Sequence, residues 1–271
     1  MQQQTFDFVM TEHPAWLPAD EATRRVFACP DGSRWLVQVA DVTVVLDRLT
    51  ADAAGGLPVD VFTLPDGLAS SAAELATALG RLGVVARFRN ADLWDAIGTA
   101  IIRQVIRAAQ SKKLYRAFCE SYGERVALPD GGSYALFPAP EIVLGLSDEQ
   151  FAVVGMAFKG GALRNAAGAY MAHGEKWREL TSLALTQELQ SVPRIGPWTA
   201  HAAVADYCND WSLYPYADLA VRTWAGRAAP SYAWPDDEPS FGRAWRAFAG
   251  AHLSSVTLLT LAWGSQHGDI G

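Results

Sequence analysis

Cysteine is scarce in this chain: three in 271 residues, Cys29, Cys119 and Cys208, far apart and with no C-x-x-C pair. That argues against a disulfide scaffold, a zinc ribbon and a four-cysteine iron–sulfur cluster. No apolar run reaches the roughly 20 residues that a bilayer span needs. Met1 to Met10 lacks the basic-then-apolar order of a secretory leader, so the expectation is a soluble, cytoplasmic protein. No glycine-rich nucleotide fingerprint is present; Gly160-Gly161 reads as a turn leading into a helix. His173, His201, His252 and His267 show no metal-ligand spacing and read as surface or core residues. Positive charge is short as well, with 22 basic against 29 acidic residues for a net −7. What is present is a composition half hydrophobic and 11% aromatic, which excludes disorder, collagen-like repeats and coiled coil. The length suits one large domain or two modest ones.

The charge is unevenly placed. Residues 1–97 hold 13 acidic and 7 basic residues, so nearly all the excess is N-terminal. Further on, Arg103, Arg107, Lys112, Lys113, Arg116 and Arg125 face only Glu120 and Glu124. Salt screens charges beyond about 10 Å, so a local basic face binds phosphate even on an acidic protein. The same residues also read as an ordinary solvated helix face.

The first third alternates like strands. Arg25 to Cys29 and Arg34 to Ala40 flank the turn Gly32-Ser33; Asp41 to Leu46 continues in β-branched residues, and Val59 to Leu64 is a further candidate. Ala51 to Pro58 reads as a loop, and Ser70 or Ser71 as the cap of a helix from Ala72 to Leu82. From Asp92 the period becomes helical. Leu93, Ile97, Ile101, Val105 and Ile106 recur at three- and four-residue steps behind Asp92 as cap. Further helices are expected over Lys112–Tyr122, stopped by a left-handed Gly123, and from Phe151 behind the capping box Ser147-Asp148-Glu149-Gln150. Others follow over Leu163–His173, ended by Gly174, then Trp177–Leu189, Pro197–Tyr207, Ala217–Arg227 and Phe241–Trp263. The fold class expected is α+β, a small N-terminal antiparallel sheet subdomain (1–90) packed on a helical bundle (91–271).

The stretch Leu189 to Trp224 holds two helices joined by a proline- and glycine-containing hairpin, Val192-Pro193-Arg194-Ile195-Gly196-Pro197-Trp198-Thr199-Ala200, with Asp218 downstream. This resembles the helix-hairpin-helix DNA glycosylases, and among them the AlkA-type (3-methyladenine) branch. Ile101-Ile102-Arg103-Gln104-Val105-Ile106-Arg107 and the run from Phe137-Pro138-Ala139-Pro140-Glu141 to Leu163-Arg164 are similar to further segments of that family. The resemblance spans about residues 90 to 270.

The resemblance implies the site. Hairpin backbone N–H groups around Pro193, Arg194, Ile195, Gly196 and Thr199 suit a DNA phosphate, which needs no net charge and reads no sequence. Main-chain carbonyls of Gln190, Val192 and Ile195 match positions that hold a sodium or potassium ion; no other cofactor is required. Arg194 stands where the family usually has glycine, and a positive φ there would strain it. Asp218 matches the essential aspartate, whose carboxylate stabilises an oxocarbenium-like sugar; it also reads as the cap of the following helix, though a cap alone would not account for the family context. Trp198 replaces the lysine that forms a Schiff base in lyase members. Its indole suits stacking on a flipped base, although a core tryptophan has the same pattern. Ala202 matches an aromatic of the base pocket, and Ala251-His252-Leu253-Ser254-Ser255 departs from the element that usually precedes the last helix. Val105, beside Gln104, matches the residue inserted where a base is flipped, or else lies in the helix core. Asp206, Asp210 and the run Asp236-Asp237-Glu238 read as solvated or capping groups.

The function expected is a monomeric, monofunctional DNA N-glycosylase acting on double-stranded DNA with a modified, alkylated base, with no membrane partner. The alternatives are a hydrolase of a nucleoside or other small N-glycoside on the same fold, and a non-catalytic DNA-binding homologue.

Overall fold

The computed structural model describes residues 2–50, 56–68 and 70–267, so part of the expected loop at Ala51 to Pro58 lies outside it. A five-stranded antiparallel sheet runs in the order β1 (Gln2–Thr5), β6 (Thr43–Arg48), β5 (Arg34–Ala40), β4 (Ala22–Ala28) and β3 (Leu17–Ala19). A second, three-stranded sheet orders β2 (Phe8–Val9), β8 (Val85–Phe88) and β7 (Val59–Phe62), with β2 parallel to β8. Alternation in β5 sends Trp35, Val37 and Val39 to one apolar cluster, while Leu36 packs on the other face with Val26 and Tyr134.

Helix α1 (Ala73–Gly80) starts behind Ala72 rather than a serine, after a 3-10 turn at Ser70–Ala72. The remaining chain forms α2 (Leu93–Arg103), α3 (Ala108–Tyr122), the hairpin β9 (Arg125–Ala127) and β10 (Ser133–Ala135), α4 (Pro140–Gly145), α5 (Asp148–Val153) and α6 (Gly160–Arg178). Then follow α7 (Ser182–Gln190), α8 (Pro197–Cys208), α9 (Leu219–Ala228), α10 (Glu238–Ala249) and α11 (Leu253–His267). One apolar core joins these helices, and Leu75 and Leu79 of α1 enter it from the N-terminal part. The Asp92 cap and the Ser147–Gln150 capping box form as expected.

Three of these helix boundaries differ from the sequence pattern, and one falls where expected for another reason. Helix α6 runs through Gly174 to Arg178, because a lone glycine costs a packed helix only about 1 kcal/mol. The chain breaks instead at Thr181, whose side chain caps α7, and so splits the Trp177–Leu189 segment. Gly250, at φ +53, likewise splits Phe241–Trp263 into α10 and α11. Gly123 ends α3 at φ −79, so handedness is not its reason: a Cβ there would lie 1.9 Å from the Leu136 carbonyl oxygen.

Sheet and helices meet across a buried ionic seam. Arg87 of β8, 3% exposed, donates to Glu12 Oε1 at 3.0 and 2.8 Å and also to Asp206 and Asn209. Asn90 donates to Asp206 at 2.8 Å, and Arg25 to Asp95 at 3.2 Å. Asp206, expected to be a solvated or capping residue, is therefore an interior anion at 6% exposure; helical periodicity turns it inward beside Ala202 and Ala203. Beside it His13 accepts from the Ala15 N–H through Nδ1 at 3.2 Å, which leaves the ring proton of the neutral form on Nε2, 3.6 Å from Asp206. Burial, with Arg25 adding to it, lowers the His13 pKa well below 6.5. Burial also raises Asp95 to about 6. Burial would raise Asp206 too, but His13, Arg87, Arg25 and the Asn90 hydrogen bond outweigh it and hold that carboxyl well below the usual range.

Candidate nucleic-acid interface and active site

The hairpin between α7 and α8 is closed by Val192 N–H on Leu189 O (3.1 Å) and Ile195 N–H on Val192 O (3.0 Å). Val192 and Ile195 point into the core, while Pro193, Arg194 and Gly196 are exposed. Arg194 does adopt the left-handed conformation, φ +71, a strain of about 1–2 kcal/mol for an L-residue. Its guanidinium lies across the start of α6, where a Cβ on Gly161 would be 2.8 Å from Nη1. Gly196 caps α8 at φ −83, and a Cβ on it would meet nothing within 4 Å. The fold itself does not require glycine there, so any need for its smallness lies outside the chain. The first turn of α8 begins on this surface, with backbone donors that a helix leaves unpaired at its N-terminus.

The carbonyls of Gln190 and Ile195 accept no hydrogen bond from backbone outside the helices among the described residues, while Val192 accepts from Ile195. The two free carbonyl oxygens, of Gln190 and Ile195, fit a hard monovalent cation, to which Val192 would bring its second lone pair.

Helix α2 stops at Arg103, short of the periodic pattern. Gln104 turns the chain, and Val105 follows at φ +59 with its side chain fully exposed. A β-branched residue in that region is a genuine outlier. The helix-core placement of Val105 is therefore excluded. Gln104 ties this turn to the hairpin: Nε2 donates to Thr199 Oγ1 at 2.7 Å and reaches Arg194 O at 3.3 Å. Its carbonyl accepts from Lys159 Nζ at 2.7 Å.

Asp218 sits at the N-cap of α9, and its Oδ1 accepts from Leu219 N–H at 2.8 Å. The capping reading thus holds, and the carboxylate remains partly exposed. The loop before it is anchored by His201 of α8, whose Nδ1 lies 2.7 Å from Leu213 O. Tyr214 joins this loop to the end of α2. Burial raises its pKa, and the nearby Arg103 guanidinium opposes that, with Asp218 and Glu12 as its acidic neighbours. Trp198 is half-buried in the first turn of α8; Ala202, one turn further, is 4% exposed.

The six cations do not form one face. Arg116 donates to the Pro14 and Trp16 carbonyls at 3.1 and 2.6 Å, and Arg125 pairs with Glu120 at 2.5 Å. Glu124 is drawn off by Arg34 at 2.8 Å. Arg107, Lys112 and Lys113 have no ion pair among the described residues. Sequence reasoning missed Lys159, Tyr214 and Glu12. Lys159 stands in the quoted Phe137–Arg164 run, but nothing in the text showed its ammonium to be interior.

No protein-family model matches the chain, and no curated protein sequence matches it. Solved structures do. A 3-methyladenine DNA glycosylase from Archaeoglobus fulgidus superposes over 100% of both chains at TM-score 0.70 and 16% identity. An 8-oxoguanine glycosylase/lyase from Clostridium acetobutylicum, solved with double-stranded DNA containing cytosine opposite 8-oxoG, covers 96% of this chain and 92% of its own at TM-score 0.69 and 16% identity. A 3-methyladenine DNA glycosylase from Schizosaccharomyces pombe, solved with abasic DNA, covers 66% of this chain and 82% of its own at TM-score 0.51 and 17% identity. The chain has the fold of the helix-hairpin-helix DNA glycosylases. Among the described residues no helix is long and apolar enough to cross a membrane.

Proposed function

We propose that this chain is a monofunctional DNA N-glycosylase that extrudes a damaged, alkylated base from double-stranded DNA and hydrolyses its bond to the sugar. The observation that carries the reading is Val105, an apolar side chain held fully exposed in a strained turn beside a hairpin of open backbone donors. A fold gains nothing by exposing a strained valine, whereas a duplex with an extruded base has a gap that it fills.

The hairpin N–H groups take phosphate; the Gln190, Val192 and Ile195 carbonyls would hold a sodium or potassium ion, which would add positive charge there. Trp198 stacks on the extruded base, with Ala202 behind it. Water oxygen bonds to C1′ as the C1′–N bond breaks, and the bond's electron pair leaves with the base. The proton that water loses goes to a base that leaves as an anion, or to solvent where alkylation has already made the base cationic and it leaves neutral. Asp218 stabilises the positive charge that develops on the sugar. Trp198 has no amine to form an imine, so the backbone is left uncut.

The test is a panel of duplexes, each with one damaged base, scored for alkali-labile sites. Base release from an alkylated duplex, with strand cleavage only after alkali, is expected. Tight binding without release from any duplex would leave a DNA-binding homologue. Release from free nucleosides alone would favour the small N-glycoside reading, which the net −7 charge supports but which leaves Val105 without a task.

A further inference from the structure

Lys159 is 3% exposed, at the position just before the first turn of α6. Its Nζ donates to the Gln104 carbonyl at 2.7 Å and lies 5.0 Å from the centre of the Phe158 ring. No carboxylate pairs with it among the described residues. An ammonium has three donors, and burying one on a single backbone oxygen is unfavourable unless that oxygen matters. The oxygen belongs to the residue after α2, where unpaired carbonyls and the helix dipole favour a cation. The same planar peptide carries the Val105 N–H. Returning Val105 to a negative φ requires that plane to rotate, which swings the Gln104 oxygen away from Lys159.

We propose that Lys159 is a positioning residue of the base-flipping turn: its ammonium holds the Gln104 carbonyl and so keeps Val105 outward in the left-handed conformation. The role at DNA rests on the glycosylase reading; the clamp itself does not. Gln104 is then fixed twice, by Lys159 at its carbonyl and by Thr199 at its amide, so that the turn is preformed before DNA arrives. Burial lowers the Lys159 ammonium to about 8, so the clamp weakens in mild alkali. The Arg194 guanidinium over Gly161, and Arg164 paired with Asp148 at 2.7 Å, are the charged groups at that end of α6 among the described residues.

The experiment compares wild type, Lys159→Met and Lys159→Arg by two readouts. The first is amide hydrogen exchange over residues 103–108 without DNA. The second is fluorescence of 2-aminopurine at the flipped position in a duplex. Losing a hydrogen bond from a charged donor corresponds to about tenfold or more in a local opening equilibrium. Lys159→Met should therefore raise exchange in 103–108 by about that factor, with global exchange unchanged, and lower the flipped fraction at saturating protein. Lys159→Arg should restore both, because it keeps a charged donor. Wild type above pH 8 should drift toward the Met variant, and the Arg variant should not. Unchanged exchange in Lys159→Met, or failure of Lys159→Arg to restore it, overturns the clamp. If Lys159→Met does not fold, the pH series on wild type and Lys159→Arg decides alone. A wild type that binds no duplex while the exchange result holds would overturn the glycosylase reading and spare the clamp.

Discussion

The Gln104 amide donates to the Thr199 hydroxyl at 2.7 Å across 95 residues of chain, with Thr199 buried and Gln104 partly so. This bond couples the turn that presents Val105 to the first turn of the helix behind the hairpin. Arg194 and Val105, both strained, thus sit on one braced unit, and the apolar wedge and the phosphate-facing donors keep a fixed spacing.

Val105→Gly separates stability from function. Glycine removes about 1–2 kcal/mol of left-handed strain and gives back roughly 0.5–1 kcal/mol through its freer unfolded chain. The variant should melt at or slightly above the wild-type temperature while base release from a damaged duplex falls at least tenfold. Loss of both together would mean that the valine serves the fold.

The ionic seam should show itself in acid. His13, facing Arg25, Arg87, Arg103, Asp95 and Asp206, has its folded pKa lowered, so its contribution is complete above 6.5 and declines as pH falls below that value. Asp95 is raised to about 6; the fold prefers it protonated, so it adds stability as pH falls from about 6 toward 3.8. The two oppose each other between pH 6.5 and 4. Below that, Asp206 loses its contribution, because its folded pKa is depressed. Urea denaturation should thus be nearly flat in pH over that range for wild type. His13→Gln should gain stability relative to wild type as pH falls from 7.5 to 4.5; an equal difference at both pH values would refute the assignment.

Asp218→Asn keeps an N-cap on α9, since asparagine caps as well as aspartate. Stability should hardly change. Removing the carboxylate should lower base release by about 10²–10³, in the range of other single electrostatic stabilisers, and leave affinity for an abasic-analogue duplex within a few-fold. Release within a few-fold of wild type would remove Asp218 from the chemistry.

Borohydride should trap no covalent complex on abasic or substrate DNA. Trp198 stands at the position matching the imine-forming lysine, and Lys159 is buried with its ammonium on the Gln104 carbonyl. A trapped adduct mapping to any lysine would show a lyase.

The parts of this arrangement legible in the sequence were the local ones. Asp92 and Ser147 announce helix starts because a side-chain oxygen reaches its own first turn, and the Val192–Ala200 text announces the hairpin. The end of α2 was not legible: Val105 and Ile106 continue the apolar period, whereas the tertiary bonds that Gln104 accepts from Lys159 and donates to Thr199 hold the turn that follows Arg103. Charge misled for the same reason. Arg116 looks like a phosphate contact until the Pro14 and Trp16 carbonyls, about a hundred residues away, take its donors. Asp206 looks solvated until Arg87 arrives from a strand.

Gly196→Val tests the hairpin without disturbing the fold. A valine there needs no positive φ, and its Cβ meets nothing within 4 Å. Inside the protein it has room; against a phosphate docked on the α8 N-terminus it does not. Binding to an abasic-analogue duplex should therefore weaken by a similar factor for every flanking sequence, because the hairpin meets phosphate and not base edges. Few side-chain cations remain free near this face once Arg116 and Arg125 are spent internally. Each neutralised phosphate adds roughly −0.9 to the slope of log K against log salt. Backbone donors carry no counter-charge of their own, so wild type should show a shallow slope, and Gly196→Val should lower affinity with little change in that slope. A steep wild-type slope that the variant halves would mean that Arg194, Arg107 and Lys113 hold the DNA, and that the hairpin only positions them.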